Sequence, residues 1–171
     1  MIFEFSNFMS PKLCDEVIKY FNCSPKKDEN NLFYSGRTLD PHTICDSDIR
    51  LELKSFLYKV TQESYKKYNQ FIFPEYWNIV SWETGMFMDP HVDNSIPIFV
   101  NRHYTSICYL NDDFSGGETI LPKHHYTCKP EKGKVLIFPS EYLHGVNLIE
   151  NKTRYTLVMW FTKNYKSMLE Y

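Results

Sequence analysis

From Phe71 onward the chain becomes a series of short segments rich in aromatic and β-branched residues, each closed by Gly, Pro, Asn or Asp. They are 76-YWNIVSWE-83, 103-HYTSICYLN-111, 118-ETILP-122, 134-KVLIFP-139, 143-LHGVNLI-149 and 154-RYTLVMWFT-162. Many short strands separated by turns read as a β-sandwich or barrel. Aromatics make up 17% of the chain, with thirteen Tyr and thirteen Phe, which favours β-structure and an aromatic interior.

The first seventy residues have another character. Ser10 before Pro11 is a capping side chain followed by proline at the first helical position, and Leu13, Val17, Ile18 and Phe21 follow at helical spacing. This predicts a helix over 11–22. Residues 23–46 are polar, with Pro25, Gly36 and Pro41, and read as a long loop or irregular hairpin. Asp46, Ser47 or Asp48 caps a second predicted helix, in which Ile49, Leu53, Phe56, Leu57 and Val60 line one face and the pattern runs to about Tyr68. Helices first and strands afterwards place the helices outside the sheets. A chain of 171 residues suits one domain over 1–171, with helical support over about 1–70 and a β core over about 71–165.

Charge and cysteine content narrow the function classes. The net charge is −2 and no basic stripe exceeds short pairs such as Lys26-Lys27 and Lys66-Lys67, so nucleic acid is not the expected partner. Five scattered cysteines with no C-x-x-C pair disfavour a zinc knuckle or a disulfide framework. The start, 1-MIFEFSNFMS-10, has no basic segment leading into an apolar run, and no stretch approaches a membrane span. These features lead us to expect a reduced, cytoplasmic protein, monomeric or weakly dimeric, without a membrane partner.

The chemistry starts from 88-MDPHVDNS-95. In an extended chain residues i and i+2 point to the same side, so His91 and Asp93 could converge on one point while Val92 faces the core. Alone, the triplet reads as a solvated strand end. His144 changes that reading, because it follows the apolar segment 133-GKVLIFPSEY-142 and heads the next strand. Two His and one carboxylate, with other coordination positions open, form the 2-His-1-carboxylate triad of non-haem Fe(II) oxygenases. Arg154, ten residues further on, supplies the permanent cation that a dicarboxylate co-substrate would require.

With these stretches in place, the sequence resembles the 2-oxoglutarate- and Fe(II)-dependent dioxygenases, in particular their prolyl 4-hydroxylase-like branch. The matching stretches are 82-WETG-85, 91-HVD-93, 105-TSICYLND-112, 114-FSGGETILP-122, 129-KPEKGKVLIFP-139, 144-HGV-146 and 154-RYTLVMW-160, in the family's order and spacing. The stretch 5-FSNFMSPKLCDEVIKYF-21 resembles an N-terminal helix that many members carry. The resemblance implies a double-stranded β-helix core of jelly-roll type, buttressed by N-terminal helices. It implies Fe(II) on His91, Asp93 and His144, and 2-oxoglutarate held by Arg154 through its distal carboxylate, with Tyr109 and Thr119 beside it. Trp160 matches an aromatic wall near the metal and Arg102 a position near the substrate entrance. Trp82 stands where many members have a tyrosine, and its N–H donates but cannot accept.

The activity implied is hydroxylation of a C–H bond with O2, coupled to decarboxylation of 2-oxoglutarate to succinate and CO2, with ascorbate as a candidate reductant. Asp93 argues against the halogenating relatives, where a small residue leaves room for halide. The first expected substrate is a prolyl or other residue in a peptide or protein; the alternative is a free amino acid or small metabolite. A non-catalytic or zinc-holding member ranks lower, as does a nucleic-acid demethylase, since those enzymes typically carry a second arginine where this chain has Trp160. A peptide groove is expected between the 24–47 loop and the 94–103 segment. Cys108 and Cys128 read as core residues, His124 and His125 as a hairpin end, and Gly116-Gly117 as a turn.

Overall fold

The computed structural model describes residues 1–25 and 37–168. Lys26-Lys27 and Gly36, from the expected 23–46 loop, lie outside the described residues. Helix α1 (Pro11–Cys23) begins where its capping signal places it, with the Ser10 hydroxyl accepting from the Leu13 N–H at 3.2 Å. Helix α2 (Ser47–Tyr68) is capped by Asp46, whose carboxylate accepts from the N–H groups of Asp48 and Ile49, and ends at Asn69 in the left-handed conformation.

The strands are β1 (Phe3–Phe5), β2 (Arg37–Leu39), β3 (Phe73–Trp82), β4 (Met88–His91), β5 (Tyr104–Tyr109) and β6 (Ser115–Gly116). They continue as β7 (Thr119–Leu121), β8 (Tyr126–Cys128), β9 (Val135–Pro139), β10 (His144–Val146), β11 (Ile149–Asn151) and β12 (Arg154–Thr162). A six-stranded sheet runs β1-β9-β5-β12-β3-β2, and a four-stranded sheet runs β4-β10-β7-β8, with β11 and β6 as a separate pair. Every pairing is antiparallel. From β3 onward the chain crosses repeatedly between the two larger sheets, apart from the β7-β8 hairpin and the β6-β11 pair, which is the expected double-stranded β-helix.

The large sheet is buried on both faces. Trp77 and Ile79 of β3 and Leu157, Met159 and Phe161 of β12 share one apolar cluster with Val17 and Phe21 of α1 and Phe56, Leu57 and Val60 of α2. The helices therefore lie outside the sheet, as their order in the chain requires. Alternate residues of the same strands turn the other way, where Val80, Trp82, Val158, Trp160, Tyr109 and Phe138 meet side chains from between the sheets.

Two sequence expectations are corrected by this architecture, the strand over 143–149 and the placement of Val92. The segment 143–149 is not one strand: it splits into β10 and β11, and the turn between them lets Gly116 (φ +69°) approach the Leu148 carbonyl, where a Cβ would stand 1.9 Å from the oxygen. Within the first seventy residues, the short strands β1 and β2 cap the two edges of the large sheet, β2 arising from the segment read as a loop or irregular hairpin. Val92 does not face the core, but stands half-buried in a cavity wall.

Candidate metal centre

His91 ends β4 and His144 begins β10, and the two residues are register partners across the small sheet. Gly145 permits that pairing, because a Cβ there would stand 2.7 Å from the Met88 carbonyl oxygen. Asp93 follows in the turn after β4, its N–H donating to the Ser140 carbonyl at 3.0 Å. One ligand atom from each of His91, Asp93 and His144 lies within 4.8 Å of the others. Each imidazole has its Nδ1 against the carbonyl two residues earlier, His91 on Asp89 at 3.0 Å and His144 on Tyr142 at 2.9 Å. Those acceptors fix the Nδ1–H tautomer and turn both Nε2 lone pairs towards Asp93, at 3.4 and 3.5 Å from its two oxygens.

Asp93 is held from behind. Its Oδ2 accepts from the Thr105 hydroxyl at 2.5 Å and from the Trp160 indole N–H at 2.9 Å. Burial pushes its carboxyl pKa up, but His144, His91 and Thr105 together hold it well below the usual carboxylate range. Burial also lowers the pKa of His144 against the pull of Asp93. On the more exposed His91 burial is outweighed by Asp93 and the Asp89 carbonyl, so its pKa is raised. The two histidines face the same carboxylate but differ in burial, in the hydrogen bond that His91 makes to Asp93, and in the repulsion from His91 that falls on His144.

A second group of side chains lies at the far end of the same interior. Arg154 opens β12 opposite Trp82 and is only 2% exposed. Its Nη2 reaches Thr119 Oγ1 at 3.4 Å, and the Tyr109 hydroxyl donates to that oxygen at 2.7 Å. The rings of Tyr109 and Trp82 lie 5.4 and 6.0 Å from the guanidinium carbon. No carboxylate pairs with Arg154 among the described residues, and its Nε has no hydrogen-bond partner. Thr156 Oγ1, two residues along the same strand face, is also buried without a partner. An unpaired buried cation costs several kcal/mol unless an anion joins it. Two imidazoles and a carboxylate with open positions fit non-haem iron, and the bare guanidinium fits a carboxylate.

In front of the metal cluster lies a cavity of about 600 Å³ bordered by His91 and Asp93, with Glu75, Tyr76, Asn78, Arg102 and Trp160 in its walls. Arg102 is wedged between the rings of Phe99 and Trp160, at 3.6 and 4.0 Å, and its Nε donates to Glu75 at 3.2 Å. Tyr76 stacks on Trp160 and its hydroxyl donates to Asp40. Arg154, Tyr109 and Thr119 lie outside this lining. Trp82 lies beside Arg154, not in the cavity wall with Arg102 and Trp160. The 94–103 segment does line the cavity, through Ser95, Ile96, Ile98, Phe99 and Arg102.

Sequence reasoning missed Glu75, Asn78, Thr105 and Ser140. Asn78 was discoverable: it is a polar residue at an inward position of an apolar strand, and it is 3% exposed with its Oδ1 unpartnered. Thr105 and Ser140, hydrogen-bonded to each other at 2.9 Å, carry no pattern that marks them.

A family profile described as the 2OG-Fe(II) oxygenase superfamily matches residues 76–162. Human prolyl 3-hydroxylase 2 is 34% identical over 73 residues, which is 39% of this chain and 10% of that protein. A PKHD-type hydroxylase of Gluconobacter oxydans is 31% identical over 99 residues, 52% of this chain and 43% of that protein. The chain thus spans less than half the length of these curated relatives. Among solved structures, the viral collagen prolyl hydroxylase of Paramecium Bursaria Chlorella virus-1, in its 2OG complex, superposes with a TM-score of 0.72 at 18% identity over 94% of each chain.

Proposed function

Since the chain belongs to the 2OG-Fe(II) oxygenase superfamily, we propose that it is an Fe(II)- and 2-oxoglutarate-dependent dioxygenase that hydroxylates a prolyl residue in a peptide or protein. The observation that carries the reading is the pairing, inside one β-helix, of a His-Asp-His cluster with a buried guanidinium that lacks an anion. Human prolyl 3-hydroxylase 2 and the viral collagen prolyl hydroxylase suggest the substrate class.

His91 and His144 through Nε2, and Asp93 through a carboxylate oxygen, would hold Fe(II). Bound there with 2-oxoglutarate and O2, the metal supplies the oxidation: one oxygen atom enters a substrate C–H bond, the other enters succinate, and CO2 leaves. Arg154 binds the distal carboxylate of 2-oxoglutarate. Tyr109 holds Thr119 Oγ1 beside it, and Thr156 offers a further hydroxyl on the same strand face. The cavity in front of the cluster takes the substrate, with Arg102 and Trp160 forming the wall beside Asp93.

The test is conversion of 2-oxoglutarate to succinate with Fe(II) and ascorbate, with proline-rich peptides or free proline added. Peptide-stimulated turnover with hydroxyproline in the peptide is expected, and His144→Ala is expected to abolish it. Stimulation by free amino acids alone would move the substrate to a small molecule. Full activity in His144→Ala would overturn the metal assignment.

A further inference from the structure

The pairing of β12 with β3 is regular from Arg154 opposite Trp82 to Trp160 opposite Tyr76, and then slips so that Phe161 faces Pro74. Glu75 is the residue left over, the extra one of a β-bulge. On a regular strand it would share the face of Trp77 and Ile79 and point at the helices. The bulge turns it instead into the cavity, where its carboxylate accepts from Arg102 Nε at 3.2 Å. Arg102 in turn lies on the Trp160 ring, and the Trp160 N–H holds Asp93 Oδ2.

We propose that Glu75 is a positioning residue for the metal ligand Asp93, acting through Arg102 and the Trp160 indole. The proposal rests on the reading of His91, Asp93 and His144 as metal ligands. Arg102 is 7% exposed, and a guanidinium that deep needs a fixed anion to stay over the ring. Pinned between Phe99 and Trp160, it leaves the indole little room to tilt, while Tyr76 stacks on the same indole. A fixed indole N–H keeps Oδ2 engaged together with Thr105, so Oδ1 is the oxygen presented towards His91. Removing Glu75 frees Arg102 to seek water, and the indole loses its clamp three contacts away from the ligand it orients.

The test is binding of Mn(II) alone to the metal-free full chain, by calorimetry, without 2-oxoglutarate or substrate. Partners that orient metal ligands change affinity by about 10- to 100-fold, and Glu75 is further removed, so Glu75→Ala is expected to weaken Mn(II) by about 3- to 10-fold. Glu75→Gln, which keeps an acceptor oxygen but not the charge, is expected to recover only part of that loss. Trp160→Phe keeps a ring but deletes the N–H, and in that background Glu75→Ala is expected to add nothing. Thermal unfolding in chelator shows which variants fold, and Arg102→Met breaks the same link from its other side where Glu75→Ala does not fold. Unchanged Mn(II) affinity in a folded link-breaking variant, or effects that multiply with Trp160→Phe, would overturn the inference alone. Failure of the unaltered chain to bind Mn(II) would overturn both the inference and the proposed function.

Discussion

Along β12, Tyr155, Leu157, Met159 and Phe161 turn towards the helices, while Arg154, Thr156, Val158 and Trp160 turn between the sheets. Both sets are largely buried, so burial does not separate them. Chemistry does. The helix-facing set is almost entirely apolar and fills one core cluster with α1 and α2. The inner set carries a bare guanidinium, an unpartnered hydroxyl and an indole committed to Asp93. The period of two lets one strand hold the fold together on one side and remain short of partners on the other. Interior polar groups without partners are expensive, so Arg154 and Thr156 suit a ligand, while Val158 and Trp160 beside them pack into an apolar cluster with Val80, Trp82 and Ile149.

The largest expected effect comes from replacing Arg154 by Met. Removing one partner of a fully desolvated ion pair costs about 3–4 kcal/mol. The kcat/KM for 2-oxoglutarate should then fall about 100- to 1,000-fold. The unfolding temperature without 2-oxoglutarate should stay level or rise, since an apolar side chain replaces an uncompensated cation. A fall of several degrees would show that Arg154 holds the fold, and the contrast between the faces would break. Leu157→Ala, on the opposite face, should do the reverse. It should lower stability by about 2–4 kcal/mol in urea unfolding, with kcat per folded molecule within about twofold of the parent. A large rise in the KM for 2-oxoglutarate would show that the two faces are mechanically one.

How much of this was legible depended on whether the information was local. Ser10 before Pro11 caps the first helix where the sequence places it, and Asp46 is the one of three candidates (Asp46, Ser47, Asp48) that caps the second. His91, Asp93, His144 and Arg154 were singled out by the family spacing, and the fold brings the first three together. The strands β1 (3-FEF-5) and β2 (37-RTL-39) are too short to show a period, and only distant partners make them strands. The strand β4 includes Pro90, which its edge position in the small sheet tolerates. Glu75 was illegible for a sharper reason: alternation assigns it to the helix side, and a bulge reverses the assignment.

The smallest predicted effect discriminates most finely. Thr156 Oγ1 is buried on the inner face with no hydrogen-bond partner among the described residues. Valine has nearly the same shape and no hydroxyl. If the inner face is short of a ligand, Thr156→Val removes a desolvated group without breaking anything, and the ligand-free protein should gain about 0.5–1 kcal/mol in urea unfolding. With Mn(II) and 2-oxoglutarate present the order should reverse, because the parent gains a hydrogen bond that the variant cannot make. That bond is worth about 1 kcal/mol, so the Kd for 2-oxoglutarate should rise about fivefold in the variant. The same substitution would then stabilise the empty site and weaken the filled one. Destabilisation in both states would instead mean that the hydroxyl serves the fold, and that β12 has two structural faces rather than one.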